Sequence, residues 1–123
     1  MKFLCLGYYN EKVFNAAAKA DIEAVTSKCK GHDEALHQSG HLLMVASLGP
    51  TRETKSLRPK NGRPVAMDGP FAETKEQIGS FFIIEAKDLE EAAVIAAKHP
   101  AANLGENLGW GIEVRPIGFY FER

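Results

Sequence analysis

Several side chains of this sequence have types and spacings that could do chemistry. The stretch 64-PVAMDGPFAETKEQIG-79 ends a short apolar run on Asp68, followed by Gly69, Pro70 and the aromatic Phe71. Two readings of Asp68 stay open. Asp-Gly-Pro is turn chemistry: the carboxylate accepts from nearby backbone N–H groups, Gly supplies unusual φ, and Pro stops the strand. A carboxylate at a strand end, with Phe71 as one wall of a cleft, is also one that burial would push toward a general base. Glu73, Lys75 and Glu76 read as a solvated turn of helix that Thr74 could cap. In a site, Lys75 would hold a carboxylate substrate or pair with Asp68. His99, before Pro100, ends a helix whose dipole would raise its pKa somewhat. At a cleft mouth it would equally serve as a general acid or base. Glu113 and Arg115 alternate along a strand and share one face, either as surface charges or as ligand contacts.

Cys29 and His32 lie three residues apart on a helical pattern, so both point to one side. The plainer reading makes Cys29 a small core residue and His32 a hydrogen-bonded imidazole. The sharper one makes them metal ligands with His99 as the third, a set that zinc or iron needs complete. No metal is expected for folding, and no cofactor is implied. The phosphate-loop, dinucleotide, HExxH, GxSxG and CxxC patterns are all missing.

The elements that must position these groups are legible from periodicity. A single domain is expected for 123 residues with 45% hydrophobic and 25% charged content. The net charge of −1 gives no field that would draw nucleic acid or an anionic membrane. No run approaches the roughly 20 apolar residues of a membrane span, and the start lacks a signal-like tract. The cytoplasm is the expected compartment. KFLCLGYY (2–9) reads as a buried strand. From Val13 to about Gln38, Phe14, Ala18, Ile22, Val25, Cys29, His32 and Leu36 trace one helical face, with a bend possible at Gly31 and a stop at Gly40. Strands follow over 41–48, 54–58 and 64–67, the last two joined by Asn61-Gly62, a strong hairpin signal. Arg58-Pro59 and Arg63-Pro64 place that hairpin at an edge or bulge. A strand over 78–86 precedes a helix over 88–100 that Asp88 caps, with Glu91 in a capping-box-like position. Residues 101–110 form a loop or short turn, and a last strand runs over 112–117, with an extension over Phe119–Phe121 left open. The order β-α-β, hairpin, β-α-β suggests a ferredoxin-like α+β sandwich with one sheet face free of helices.

The strings DGPFAETKEQIGSFFIIEAKDLEEA, GHLLMVASLGP, KHPAA and GIEVRPI resemble the YCII-related (DGPF-domain) family over about residues 1–118. The resemblance implies a dimeric ferredoxin-like α+β barrel in which two sheets face each other, hence a homodimer. It also implies a mostly unassigned function. The wider superfamily includes a ring-modifying dehydrochlorinase and looks similar to muconolactone-isomerase-type enzymes. Many members are encoded beside extracytoplasmic-function sigma factors. The residues matching the DGPF branch are Asp68, Gly69, Pro70, Phe71, Glu73, Lys75, Glu76, His99, Pro100, Glu113, Arg115 and Pro116. A branch of the family pairs a first-helix His with an Asp before Pro, and those positions fall here on Cys29 and His99, so that dyad does not carry over. Two functions are therefore expected as rivals. One is a lyase- or isomerase-like enzyme on a small cyclic or carboxylated substrate. In it Asp68 or His99 moves the proton, and Phe71, Lys75, Glu113 and Arg115 bind. The other is a ligand-sensing or partner-binding module of a transcription system, without turnover.

Overall fold

A computed structural model describes all residues, 1–123. Its main sheet has four antiparallel strands in the order β2-β5-β1-β6, built from β1 (Lys2–Tyr9), β2 (Leu42–Ser47), β5 (Gln77–Glu85) and β6 (Gly111–Pro116). Counting these as the first to fourth main strands, the two central ones are the first and third. Each βαβ unit is thus split by a strand from the other unit, the ferredoxin-like arrangement expected for an α+β chain of this order. The interspersed β3 (Lys55–Lys60) and β4 (Arg63–Asp68) pair only with each other.

Along β1 every second residue, Phe3, Cys5 and Gly7, is buried, as a period of two requires of a strand with one covered face. Phe82 and Ile84 of β5 join Phe3 and Cys5 on that side. Leu36 from α3 (Cys29–His37), and Ala92, Ile95 and Ala96 from α4 (Leu89–Ala96), complete the core. The alanines of α4 keep its axis close to the sheet. Burial raises the Cys5 thiol to about 12, which leaves it an inert hydrophobe. Asp88 caps α4 by accepting from the Glu91 N–H at 2.8 Å. The Glu91 carboxylate returns to the backbone N–H of Lys87 at 3.0 Å, one residue earlier than a strict capping box.

Several expectations are corrected, and open ones settled, by the structure. The helical face from Val13 to Gln38 is not one helix but three: α1 (Glu11–Ala16), α2 (Lys19–Thr26) and α3. Ala17 and Ala18 adopt extended backbone, so the apolar stripe is interrupted there. Gly31 lies inside α3 and breaks nothing. α4 stops at Ala96, so His99 is not a helix C-terminus but the N-cap of a separate short turn, Pro100–Ala102. Residues 73–76 form no helical turn, and Phe119–Phe121 lie outside β6.

The hairpin follows its sequence signal. Asn61 and Gly62 both have positive φ, 53° and 77°, as a two-residue type I′ connection requires. Pro59 then lies opposite Pro64. That is one pair beyond the turn-closing Lys60–Arg63 pair, at a position where neither residue owes the ladder an N–H.

Candidate functional site

At one end of the sheet lies an open cavity of about 610 Å³, inside the range of roughly 300–1,000 Å³ common to small-molecule sites. Small residues create it. Gly7, Gly79 and Ser80 line it where the same two strands carry Phe and Ile further along. Gly7 faces Ser80 so closely that a Cβ there would overlap the serine side chain, and a Cβ on Gly79 would fall 2.8 Å from the Tyr9 ring. Aromatic Tyr8, Tyr9, Phe14 and Trp110 supply much of the wall. Tyr9 and Phe14 meet edge to face at 5.7 Å.

His99 is the polar centre. Its ring stacks flat on buried Phe82, with centroids 4.8 Å apart and planes 2° from parallel. Its Nδ1 accepts the backbone N–H of Ala101 at 3.0 Å. That bond fixes the tautomer, because a nitrogen accepting a hydrogen bond carries no proton, so the neutral ring bears its hydrogen on Nε2. Burial lowers the His99 pKa below the ordinary histidine value, partly opposed by the Asp33 carboxylate. Protonation would also turn Nδ1 into a donor aimed at a donor. The expected dipole-driven rise is thus reversed: burial lowers the value, and the helix that would have raised it ends before reaching this residue.

Asp33 and Cys29, one turn apart on α3, line the same cavity. Burial and the Asp33 charge raise the Cys29 thiol above its ordinary value. Cys29 is half-buried, with its Sγ 3.7 Å from the Val25 carbonyl, rather than a core residue. His32 does not line the cavity. No three metal-ligating side chains converge anywhere in the chain.

A second polar group sits at the mouth. Glu11, the first residue of α1, accepts the Tyr9 hydroxyl at 2.8 Å and the Thr51 N–H at 3.0 Å, and also the Thr51 hydroxyl. The Thr51 bonds, then the Tyr9 bond, hold the Glu11 carboxyl below its ordinary pKa. Burial and Glu11 push the Tyr9 phenol up to about 12. Arg52, beside Thr51, also lines the cavity.

Of the six site residues expected from sequence, His99 alone lines this cavity. Asp68 is exposed at the end of β4, its Oδ1 2.6 Å from the Lys55 Nζ. Phe71 lies under the Arg58 guanidinium at 3.8 Å, and its carbonyl accepts from Arg58 at 3.1 Å. Lys75 is exposed. Glu113 and Arg115 pair in register with Leu6 and Leu4, so they occupy the sheet face opposite the helices. Sequence reasoning passed over Asp33, Glu11 and Arg52. Asp33 had a signal, since it stands four residues after Cys29 on the same helix flank. Glu11 and Arg52 had none.

The family model of the YCII-related domain matches residues 1–117. The chain belongs to the YCII-related family. An uncharacterized protein of Rhizobium meliloti (strain 1021) is 36% identical over 120 residues, covering 98% of this chain and 94% of the relative. Among solved structures, this YCII-related chain is similar to 5-chloro-2-hydroxyhydroquinone dehydrochlorinase from Burkholderia phenoliruptrix AC1100, in complex with 2,5-dihydroxybenzoquinone. The identity is 16% and the TM-score 0.46, over 95% of this chain and 93% of that one. A likeness that slight carries no chemistry across.

Proposed function

We propose that this YCII-related protein binds a small organic ligand in the cavity at the end of its sheet and moves a proton on it, in a lyase- or isomerase-like reaction. The observation that carries the reading is the fixed tautomer of His99. A neutral imidazole held with hydrogen on Nε2 donates to a ligand oxygen and stabilises charge developing there. It is poorly suited to be the base. Asp33, lining the same cavity, is the carboxylate available to take a proton from a carbon beside that oxygen. An elimination or a double-bond shift follows according to whether the ligand carries a leaving group. The rival is a sensing module for the same ligand in a transcription system, without turnover.

The functional unit is a homodimer. The chain exposes 8693 Å², where a compact monomer of its mass exposes about 6,500 Å². Part of the difference is the β3–β4 ribbon, which carries exposed Leu57, Val65 and Met67. Part is the C-terminal tail, with Phe119 86% and Phe121 78% exposed. The helix-free sheet face adds Leu4, Leu6, Met44 and Phe81, which share a side by register. Apolar surface of that extent is unusual on a monomer. No helix is long and apolar enough to cross a membrane, and the cytoplasm is the proposed compartment.

The test is a melting-temperature screen of small ring compounds against wild type and His99→Gln. A ligand of the native state raises the melting temperature in proportion to the logarithm of its excess over Kd. Hits that stabilise wild type and lose that effect in the variant are expected. Hits indifferent to His99 would contradict the reading. Conversion of a hit by wild type, absent with Asp33→Asn, separates enzyme from sensor.

A further inference from the structure

We propose that the cavity's ligand is an organic anion of about one ring's size whose negative group is held by Arg52. This deepens the cavity reading above and rests on it.

Arg52 combines three properties. It lines the cavity. Its guanidinium takes part in none of the chain's five ion pairs. Its backbone is anchored, because the preceding Thr51 is bonded to Glu11 through both its N–H and its hydroxyl. The Arg52 charge is felt by Glu11 but forms no ion pair with it, and the Glu11 carboxylate already accepts three hydrogen bonds from Tyr9 and Thr51. A guanidinium presents paired N–H donors that match a carboxylate. Arg52 is therefore an exposed cation that follows an anchored residue and has its fork unused by any ion pair of the chain.

The other charged groups divide the cavity into two ends. Glu11 and Arg52, whose charges act on each other, come from α1 and the short turn 51–53, while Asp33 and His99, likewise coupled, come from α3 and the turn after α4. An anion as a whole is not favoured by a lining that holds two carboxylates and one guanidinium, so the negative group must sit at the Arg52 end. At the other end His99 offers its Nε2 hydrogen to a neutral oxygen, a carbonyl or hydroxyl. Aromatic Tyr8 and Trp110 in the lining suit a flat ring between the two ends. The inferred ligand class is a monocyclic carboxylate bearing an oxygen substituent.

The inference is tested by titrating the isotope-labelled protein with benzoate, neutral benzamide and cationic benzylamine, following backbone amides and the Trp110 indole N–H. Benzoate is expected to shift Trp110 and Ala101 saturably and to bind about tenfold more tightly than benzamide. Arg52→Gln should erase that preference while leaving benzamide binding unchanged, and Arg52→Lys should restore part of it. Rising salt should weaken benzoate alone. If benzoate and benzamide bind in the cavity equally, or benzylamine binds best, the anion assignment falls and the cavity reading stands. If no probe shifts the cavity residues up to tens of millimolar, or the shifts fall outside it, both are overturned. The benzoate-to-benzamide ratio is read on wild type, so it does not depend on how the variants fold.

Discussion

Two regions, the Asp68–Phe71 turn and the cavity, are built in opposite ways. The Asp68–Phe71 turn is made of near neighbours. Asp68 meets Lys55 across the ribbon, and Phe71 meets Arg58, thirteen residues away. These contacts are exposed, where an ion pair contributes between nothing and about 1 kcal/mol. The cavity is gathered from distant segments: Tyr9 and Glu11, Asp33, Pro50 and Arg52, His99 and Ala101. Tyr9, Glu11 and His99 are half-buried there and their hydrogen bonds bias protonation, while Asp33 and Arg52 are exposed. Conspicuous local sequence marks a turn that must have its shape. Chemistry gathers where the topology brings separated residues under a partial cover.

The contrast can be broken most forcefully from beneath the cavity. Phe82→Ala removes a fully buried ring and the floor on which His99 stacks. A loss of about 3–5 kcal/mol is expected in urea unfolding. A loss under about 1 kcal/mol would mean the cavity end is not supported by the core. Glu11→Gln keeps the shape but removes the charge that three donors address. A cost of about 1–2 kcal/mol is expected, together with loss of amide exchange protection at Thr51.

Acid should act on the cavity in two steps. The His99 pKa is lowered on folding, so below about pH 6.5 the unfolded chain binds the extra proton more readily. This contribution to stability is complete above about pH 6.5 and is lost as pH falls through the folded value. Glu11 is lowered as well. Its contribution is complete above the ordinary glutamate value of about 4.3 and is lost as pH falls through its own folded value. Unfolding free energy followed against pH should lose the first slope in His99→Gln and the second in Glu11→Gln. An unchanged profile in both variants would contradict the assigned hydrogen bonds. The smallest effect is expected at the turn. Asp68→Asn should cost less than about 1 kcal/mol, since it removes one exposed ion pair. A larger cost by thermal unfolding would show the turn to be more tightly coupled to the fold than its exposure suggests.

How much of this was legible in the sequence follows from the same distinction. The Asn61-Gly62 hairpin, the Asp88 cap and the β-α-β order were readable because each is decided by residues close in sequence. The single long helix over Val13–Gln38 was not borne out. A periodic apolar stripe does not reveal that Ala17 and Ala18 take extended backbone, because alanine's helix preference is a weak prior that tertiary context overrides. His99 was legible as a candidate but its direction of titration was not. That depends on where α4 stops and on Phe82 and Ala101 meeting the ring. Asp33 and Arg52 look like ordinary solvated charges until the fold places them on one cavity.

The claim that the cavity, and not the Asp68 turn, carries the function is tested most directly by one paired affinity measurement. The ring compound that most raises the wild-type melting temperature is titrated calorimetrically into wild type, His99→Gln and Asp68→Asn. The account predicts an affinity lower by about tenfold or more for His99→Gln, the loss of one hydrogen bond to a ligand in a half-buried site, and no change for Asp68→Asn. Affinity lost with Asp68→Asn and kept with His99→Gln would contradict it.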